Sequence, residues 1–381
     1  MTAYRFLQPL DVLFLRGNKL FGQPGSFGES LIPPPPSAAA GALRSLMLAA
    51  DGVALAEFAS GQVTHTSIGT PTTPGSFRLT ECCLARRAAS GAVERLIEPP
   101  ADLFIARDGE GDDGGDDDKL SLSLLHPQPL PAGLMASSSL PRLPILGESE
   151  RRKPGGGLWL TEAGFVDYLA GRVPAPTELI PVGKLWQLDP RISVGLDTEQ
   201  RRADDGKLFS AQAVAFQPEI GFLVGIAGAE PPATGLVRLG GDGRGAALSS
   251  IDAAPPVTHL RVIAKAHRCR LVLTSPGIFP DGWRLPGTDS DGRFALHGVR
   301  ARLVSAAVPR AQTVSGWDLA NWEPKTAQRA APAGSVYWLD ELEATPAALG
   351  KLAAEGLWSE PCDHPQRRAE GFNRFSFALW P

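Results

Sequence analysis

The side chains of this chain best placed to do chemistry are cations gathered near turns. Arg201, Arg202 and Lys207 cluster on one polar stretch, Arg151, Arg152 and Lys153 precede Gly155-Gly-Gly157, and Arg238 and Arg244 flank Leu239-Gly-Gly-Asp-Gly. Arg367, Arg368 and Arg374 gather near the C-terminus, Arg16 and Lys19 follow the first apolar run, and Arg44 lies in the first helical pattern. Cations that track phosphates, with flat groups that stack on bases, are the chemistry of single-stranded RNA binding. The candidate phosphate contacts are Arg16, Lys19, Arg44, Arg151, Arg152, Lys153, Arg201, Arg202, Lys207, Arg244 and Arg374, with Phe209 and Trp159 as stacking partners. A plainer reading stands beside each: Phe and Trp are core residues by default, and Arg44 can be a structural ion-pair residue.

Other chemistries find less. No Gly-x-x-x-x-Gly-Lys-Ser/Thr segment occurs, and Gly240-Gly-Asp-Gly-Arg-Gly245 lacks the lysine and helix entry of a phosphate loop, so it reads as a sharp turn. His267-x-Cys269 and Cys362-x-His364 put soft ligands two residues apart, which on a strand share a face. Neither pair has zinc-ribbon spacing, and a core cysteine beside a surface histidine is the plainer reading. Gly-x-Ser-x-Gly is absent and the six histidines are scattered. His364, between Asp363 and Pro365, is the one candidate general acid or base, in a loop where a solvated histidine is the common state. The expectation is a chain with no catalytic residue, metal or cofactor.

The elements that must position these groups follow from periodicity. Ile192, Val194 and Leu196 alternate with Ser193, Gly195 and Asp197, and Asp204-Asp205-Gly206 supplies turn chemistry before Leu208 and Phe209. This predicts a hairpin arm with a charged tip. From its residues alone it also reads as a solvated hairpin whose charges keep an edge strand soluble. Earlier, Tyr4 to Arg16 is a strand region, and Ser37 is expected to cap a helix to about Ala50, with Pro33 to Pro36 barring an earlier start. Phe77 to Arg87 and Ala92 to Ala106 form a hairpin pattern, and Thr161 caps a helix ending at Gly171. Later, Arg261 to Thr274, Val299 to Val308, Ser335 to Leu339 and Arg374 to Trp380 read as strands, and Thr345 caps a helix to Ala354.

At 381 residues, two domains are expected. Hydrophobic residues at 43% and charged residues at 20% fit an ordinary globular protein, and 42 glycines with 35 prolines imply many turns. The net charge is −4, but residues 108–118 hold seven acids and no base, so the rest of the chain is positive by three charges and a basic face remains open to it. The acidic stretch is expected to be a mobile loop. Arginine supplies 29 of the 37 basic residues, which suits phosphate forks and equally follows from a GC-rich genome. Four cysteines make no disulfide framework, and neither a signal segment nor a spanning apolar run is present, so a cytoplasmic protein is expected.

Ordered motifs add a resemblance. Leu10-Asp-Val-Leu-Phe14 with Arg16 and Phe21, then Pro33-Pro-Pro-Pro-Ser37 and Gly41-Ala-Leu-Arg44, resembles the start of the third Cmr subunit of type III-B CRISPR effector complexes, a family of the RAMP superfamily. Gly155-Gly-Gly-Leu-Trp-Leu-Thr161, the Arg191 to Phe209 hairpin, Leu239 to Arg244, Thr274-Ser-Pro-Gly-Ile-Phe279, Ser315-Gly-Trp-Asp318, Pro324-Lys325 and Pro332 to Tyr337 follow in the family's order. One departure is Gly371-Phe-Asn-Arg374, with Asn373 where the family's glycine-rich loop would place another glycine; asparagine keeps the turn open to left-handed backbone. The resemblance implies an α+β fold of two ferredoxin-like, RRM-related domains with a long β-hairpin arm, divided as 1–189, 190–228 and 229–381. It implies a non-catalytic subunit that holds the 5′ repeat-derived handle of the guide RNA and joins the large polymerase-like subunit to the backbone RAMP subunits. A guide-processing endoribonuclease and a scaffold that touches only protein are the alternatives.

Overall fold

Alternation fixes the first strand, Thr2–Pro9: Tyr4 and Phe6 turn to one face of a sheet, and Leu7 to the other. The structure, a computed structural model, describes residues 2–15, 17, 27–108, 119–148, 152–197, 199–200, 202–255, 258–318, 321 and 323–381. The helix that follows is Pro36–Ala50, and it corrects the expected cap. Ser37 lies inside the first turn, and Pro36 is the first helical residue, because the N–H that proline lacks has no intrahelical partner there. Ala39, Ala40, Leu43 and Met47 bury this helix against the sheet.

That sheet has eight strands, in spatial order Leu179–Pro181, Leu158–Thr161, Val93–Ile97, Arg78–Arg87, Ile220–Ala227, Thr2–Pro9, Gly245–Ile251 and Thr234–Arg238. A second sheet orders Arg293–Leu296, Val299–Ala307, Val336–Glu343, Cys269–Leu273 and Phe375–Ala378. Each contains four antiparallel strands arranged, by chain order, as fourth, first, third and second. In the first block those strands are Gly245–Ile251, Thr2–Pro9, Ile220–Ala227 and Arg78–Arg87. In the second they are Phe375–Ala378, Cys269–Leu273, Val336–Glu343 and Val299–Ala307. The first block keeps a helix between its first and second strands and has none between its third and fourth. The second does the reverse, with Pro346–Glu355 and the short Pro365–Ala369 between its third and fourth strands and no helix between its first and second. The α+β class therefore holds, while neither block carries both crossover helices of a ferredoxin-like unit.

Local signals that the structure matches include both threonine caps. Thr161 Oγ1 accepts from Gly164 N and Thr345 Oγ1 from Ala348 N. Two strand expectations need correction. The run from Ala92 stops at Ile97, because Pro99-Pro100 cannot donate to a ladder, and Leu103–Asp108 pairs with Lys119–Leu124 in a separate hairpin. Arg261 to Thr274 is half helix: Leu260–Ala266 precedes the strand, and His267 at φ 54° closes it in the left-handed region. The acidic stretch lies outside the described residues apart from Asp108.

The two blocks share a core. Leu103, Leu124, Phe165, Tyr168 and Leu169 pack against Val272, Val304, Val336, Trp338 and Trp380. Inside this seam, fully buried Asp102 accepts from Arg270 (2.6 Å) and from the Tyr168 hydroxyl (2.6 Å). Among the described residues no helix is long and apolar enough to cross a membrane.

Candidate nucleic-acid interface

The arm is longer than its alternation suggested. Trp186–Leu196 pairs antiparallel with Ala203–Phe216, while Phe27–Gly28 adds in parallel at Ser210 and Ala211 and Leu13 bridges to Val214. Residues opposite one another in an antiparallel pair share a face. The register Arg191↔Ala211 and Ser193↔Phe209 therefore gives one face to Asp189, Arg191, Phe209, Ala211 and Ala213, and Phe14 packs against it. Lys207 continues this face toward the tip. Gly195 leaves room for it, since a Cβ there would meet the Lys207 Cβ at 2.9 Å.

Two guanidiniums flank the Phe14 ring, Arg191 at 5.9 Å and Arg244 at 5.5 Å from its centroid. Arg191 is paired with Asp189 at 2.8 Å and Arg244 with Asp11. Arg244 reaches this place because Leu239 N donates to Arg244 O across the turn that joins Thr234–Arg238 to Gly245–Ile251. Positive φ at Gly240, Asp242 and Gly243 makes that turn tight, as expected for a glycine-rich turn. Each arginine has five N–H donors and, among the described residues, one carboxylate partner, so the pair keeps donors for an anion, while the Phe14 ring between them is itself buried.

The other candidates scatter. Arg202 is exposed at the hairpin end, and Lys153 is exposed on its own loop. Arg152 donates to Ser121 Oγ and pairs with Glu148 at 3.2 Å, which ties its own loop to the strand Lys119–Leu124. Arg374 donates to the carbonyls of Thr80, Ala353 and Ala354 at 3.2, 3.0 and 2.8 Å, and burial pulls its guanidinium down to about 10. It is spent on the junction between the two blocks. Arg44 stacks over Phe77 at 5.1 Å; burial lowers its pKa, opposed by the nearby Glu370 carboxylate, and its buried Nε has no hydrogen-bond partner among the described residues. Arg16, Lys19, Arg151 and Arg201 lie outside the described residues. Trp159 is buried edge-on against Trp186 at 5.5 Å, which removes it as a stacking platform, and Phe209 is half-buried beside Phe14.

Three histidines are engaged in holding loops. His65 Nδ1 accepts from the N–H groups of Ser67 and Ile68 while its Nε2 faces Asp51 at 2.8 Å. His267 Nδ1 meets Leu342 O and His297 Nε2 meets Trp358 O, both at 2.9 Å. His364 is exposed ahead of the helix Pro365–Ala369, on a cavity of about 700 Å³ that Asp281, Arg329 and Asp363 also line. Cys269 is buried in the core, and among the described residues no three His, Cys, Asp or Glu side chains gather as a metal site.

Comparison with known proteins decides the family. Residues 5–380 match the family model described as CRISPR-associated protein (Cas_Cmr3). The chain belongs to this family. As a Cas_Cmr3 protein it is a subunit of a type III-B CRISPR effector complex. Two solved structures resemble this Cas_Cmr3 chain, each over 88% of it and 86% of theirs. One, the type III-B Cmr-beta bound to cognate target RNA, is 17% identical with a TM-score of 0.46. The other, the same complex with AMPPnP in state 1, is 15% identical with a TM-score of 0.44. No curated protein matches it.

Reading the Cas_Cmr3 sequence for cations alone misses Phe14 and the role of Arg191. The available signal was Asp189 and Arg191 alternating with aliphatic residues, which places both charges on one side of the arm.

Proposed function

We propose that this chain is a non-catalytic, RNA-binding subunit of its effector complex, holding the 5′ repeat-derived handle of the guide RNA and joining the large polymerase-like subunit to the RAMP backbone. One observation carries the reading. Arg191 and Lys207 share one face of the arm with half-buried Phe209, and Arg244 stands across the buried Phe14 ring from Arg191, which sets cations beside a planar group as single strands require. The engagement of His65, His267 and His297 in loop-holding bonds supports the non-catalytic part.

Neutralising Arg201, Arg202 and Lys207 together in the assembled complex is expected to flatten the salt dependence of guide binding by roughly 0.7 log units per lost phosphate contact. An unchanged slope would remove the arm from the RNA site. For catalysis, a positioned general acid or base contributes about 10²–10⁴-fold. Guide-loaded complexes carrying His364→Ala are expected to cleave target RNA at the parental rate, and a hundredfold drop at intact guide occupancy would favour the endoribonuclease reading.

A further inference from the structure

The arm has a second face. The pairs Ile192↔Ser210 and Val194↔Leu208, with Ser210↔Phe27 beyond them, set Phe27, Leu188, Ile192, Val194, Leu196 and Leu208 on the side opposite Arg191 and Lys207. All six are 40–75% exposed. At the base of the arm the same side runs into the core through Trp186, Val214 and Phe216. Further out it continues as aliphatic residues in water. A hairpin projecting freely into solvent would carry polar residues there. Six such side chains expose on the order of 500 Å² of apolar surface, at the upper end of the largest patch on a typical monomer. That approaches the ~800 Å² that each partner contributes to a standard interface. Trp186–Leu196 is also the outer strand of its three-stranded sheet, so its far edge is unpaired among the described residues.

We infer that this aliphatic face is a protein-docking surface, covered in the assembled complex by an uncharged, apolar patch of a neighbouring protein subunit. The chemistry selects protein over RNA. No Lys or Arg stands among the described side chains of this face, and Phe27 is the exposed planar group among them, Trp186 and Phe216 being packed in the core, whereas a single strand needs a cationic track together with stacking platforms. Membership of the Cas_Cmr3 family supplies the neighbours. The hairpin then works with two sides, an aliphatic one fixed to a protein and a cationic one left for the guide.

The test has two arms, both on the complex reconstituted from the chain and the other subunits of its own effector. In the wild-type complex, hydroxyl-radical footprinting of Ile192, Leu196 and Leu208 is expected to show at least fivefold protection relative to the isolated chain, and the protection is expected to survive ribonuclease digestion. Protection that disappears with the RNA, or none at all, overturns the inference. In the second arm, Ile192→Ser/Leu196→Ser/Leu208→Ser is expected to keep the melting temperature of the isolated chain, because the side chains are exposed, and to lower its stoichiometry in the purified complex at least tenfold. The cationic-tip variant is expected to leave that stoichiometry unchanged. Full retention of the serine variant overturns the inference and leaves the RNA reading standing. A flattened salt slope with full retention reassigns the face to RNA.

Discussion

Arg270 and Arg44 are both withdrawn from water, and they differ in what receives their protons. Arg270 donates to Asp102 Oδ2, to Tyr168 O and to Leu379 O at 2.6, 3.0 and 3.0 Å, and its guanidinium lies 4.5 Å from the Tyr168 ring centroid. Removing one partner of a buried pair strands the other charge, at a cost of about 3–5 kcal/mol. Arg270→Met is expected to destabilise by that amount in urea unfolding, because it leaves Asp102 without its cation. Arg44 carries its charge with an Nε that has no hydrogen-bond partner among the described residues and with an aromatic face. Burying a charge that is incompletely hydrogen-bonded costs free energy, so its loss offsets the packing it gives up. Arg44→Met is therefore expected to change stability by less than about 1 kcal/mol and, if Arg44 meets a phosphate, to weaken guide binding. A loss near that of Arg270→Met would make Arg44 a structural residue and remove it from the RNA contacts.

Among elements, the C-terminal turn shows how far a family pattern carries into structure. Asn373 sits at φ 60°, so the turn survives as asparagine permits. Its side chain does what glycine could not: Oδ1 accepts from Ile278 N at 2.7 Å, and Nδ2 donates to Ile278 O and Leu357 O at 3.2 and 2.9 Å. Asn373→Gly restores the expected glycine and keeps the backbone, yet is expected to cost about 1–3 kcal/mol by leaving those buried groups unpaired. A neutral effect on the melting curve would show that the clamp contributes nothing. The residues legible in sequence were those whose signal is local. Thr161 and Thr345 cap helices within three residues of themselves, and the arm declares itself by alternation. Leu260–Ala266 was hidden because seven residues hold too few turns to separate a period of 3.6 from one of 2. What meets the arm was hidden, because Leu13, Phe14 and Phe27 reach it from far away in sequence. Cations such as Arg152 and Arg374 look alike in sequence whether they face solvent or hold two segments together, and only their hydrogen bonds separate the cases.

At the scale of the whole molecule, the repeated strand order suggests two units, but the packing joins them. Leu103, Phe165, Tyr168 and Leu169 bury their apolar area against Val272, Val336, Trp338 and Trp380 as well as against Leu158, Leu160 and Leu179 of their own block. The Asp102–Arg270 pair crosses the same seam, as do Leu379 N donating to Leu169 O, Ala101 N donating to Gly334 O and Arg374 donating to Thr80 O. Separating the blocks would return those aromatic residues to water and break the Asp102–Arg270 pair, losing the apolar burial that the seam supplies. The two blocks are therefore expected to unfold together, with a single calorimetric transition whose enthalpy agrees with the van't Hoff value. By the same argument, a fragment of residues 229–381 is expected to lack fixed tertiary structure alone, since Trp338, Trp380 and Arg270 would lose the partners that cover them. Two resolved transitions, or a dispersed amide spectrum from that fragment, would show that the blocks are independent domains and that the shared seam is only a docked interface.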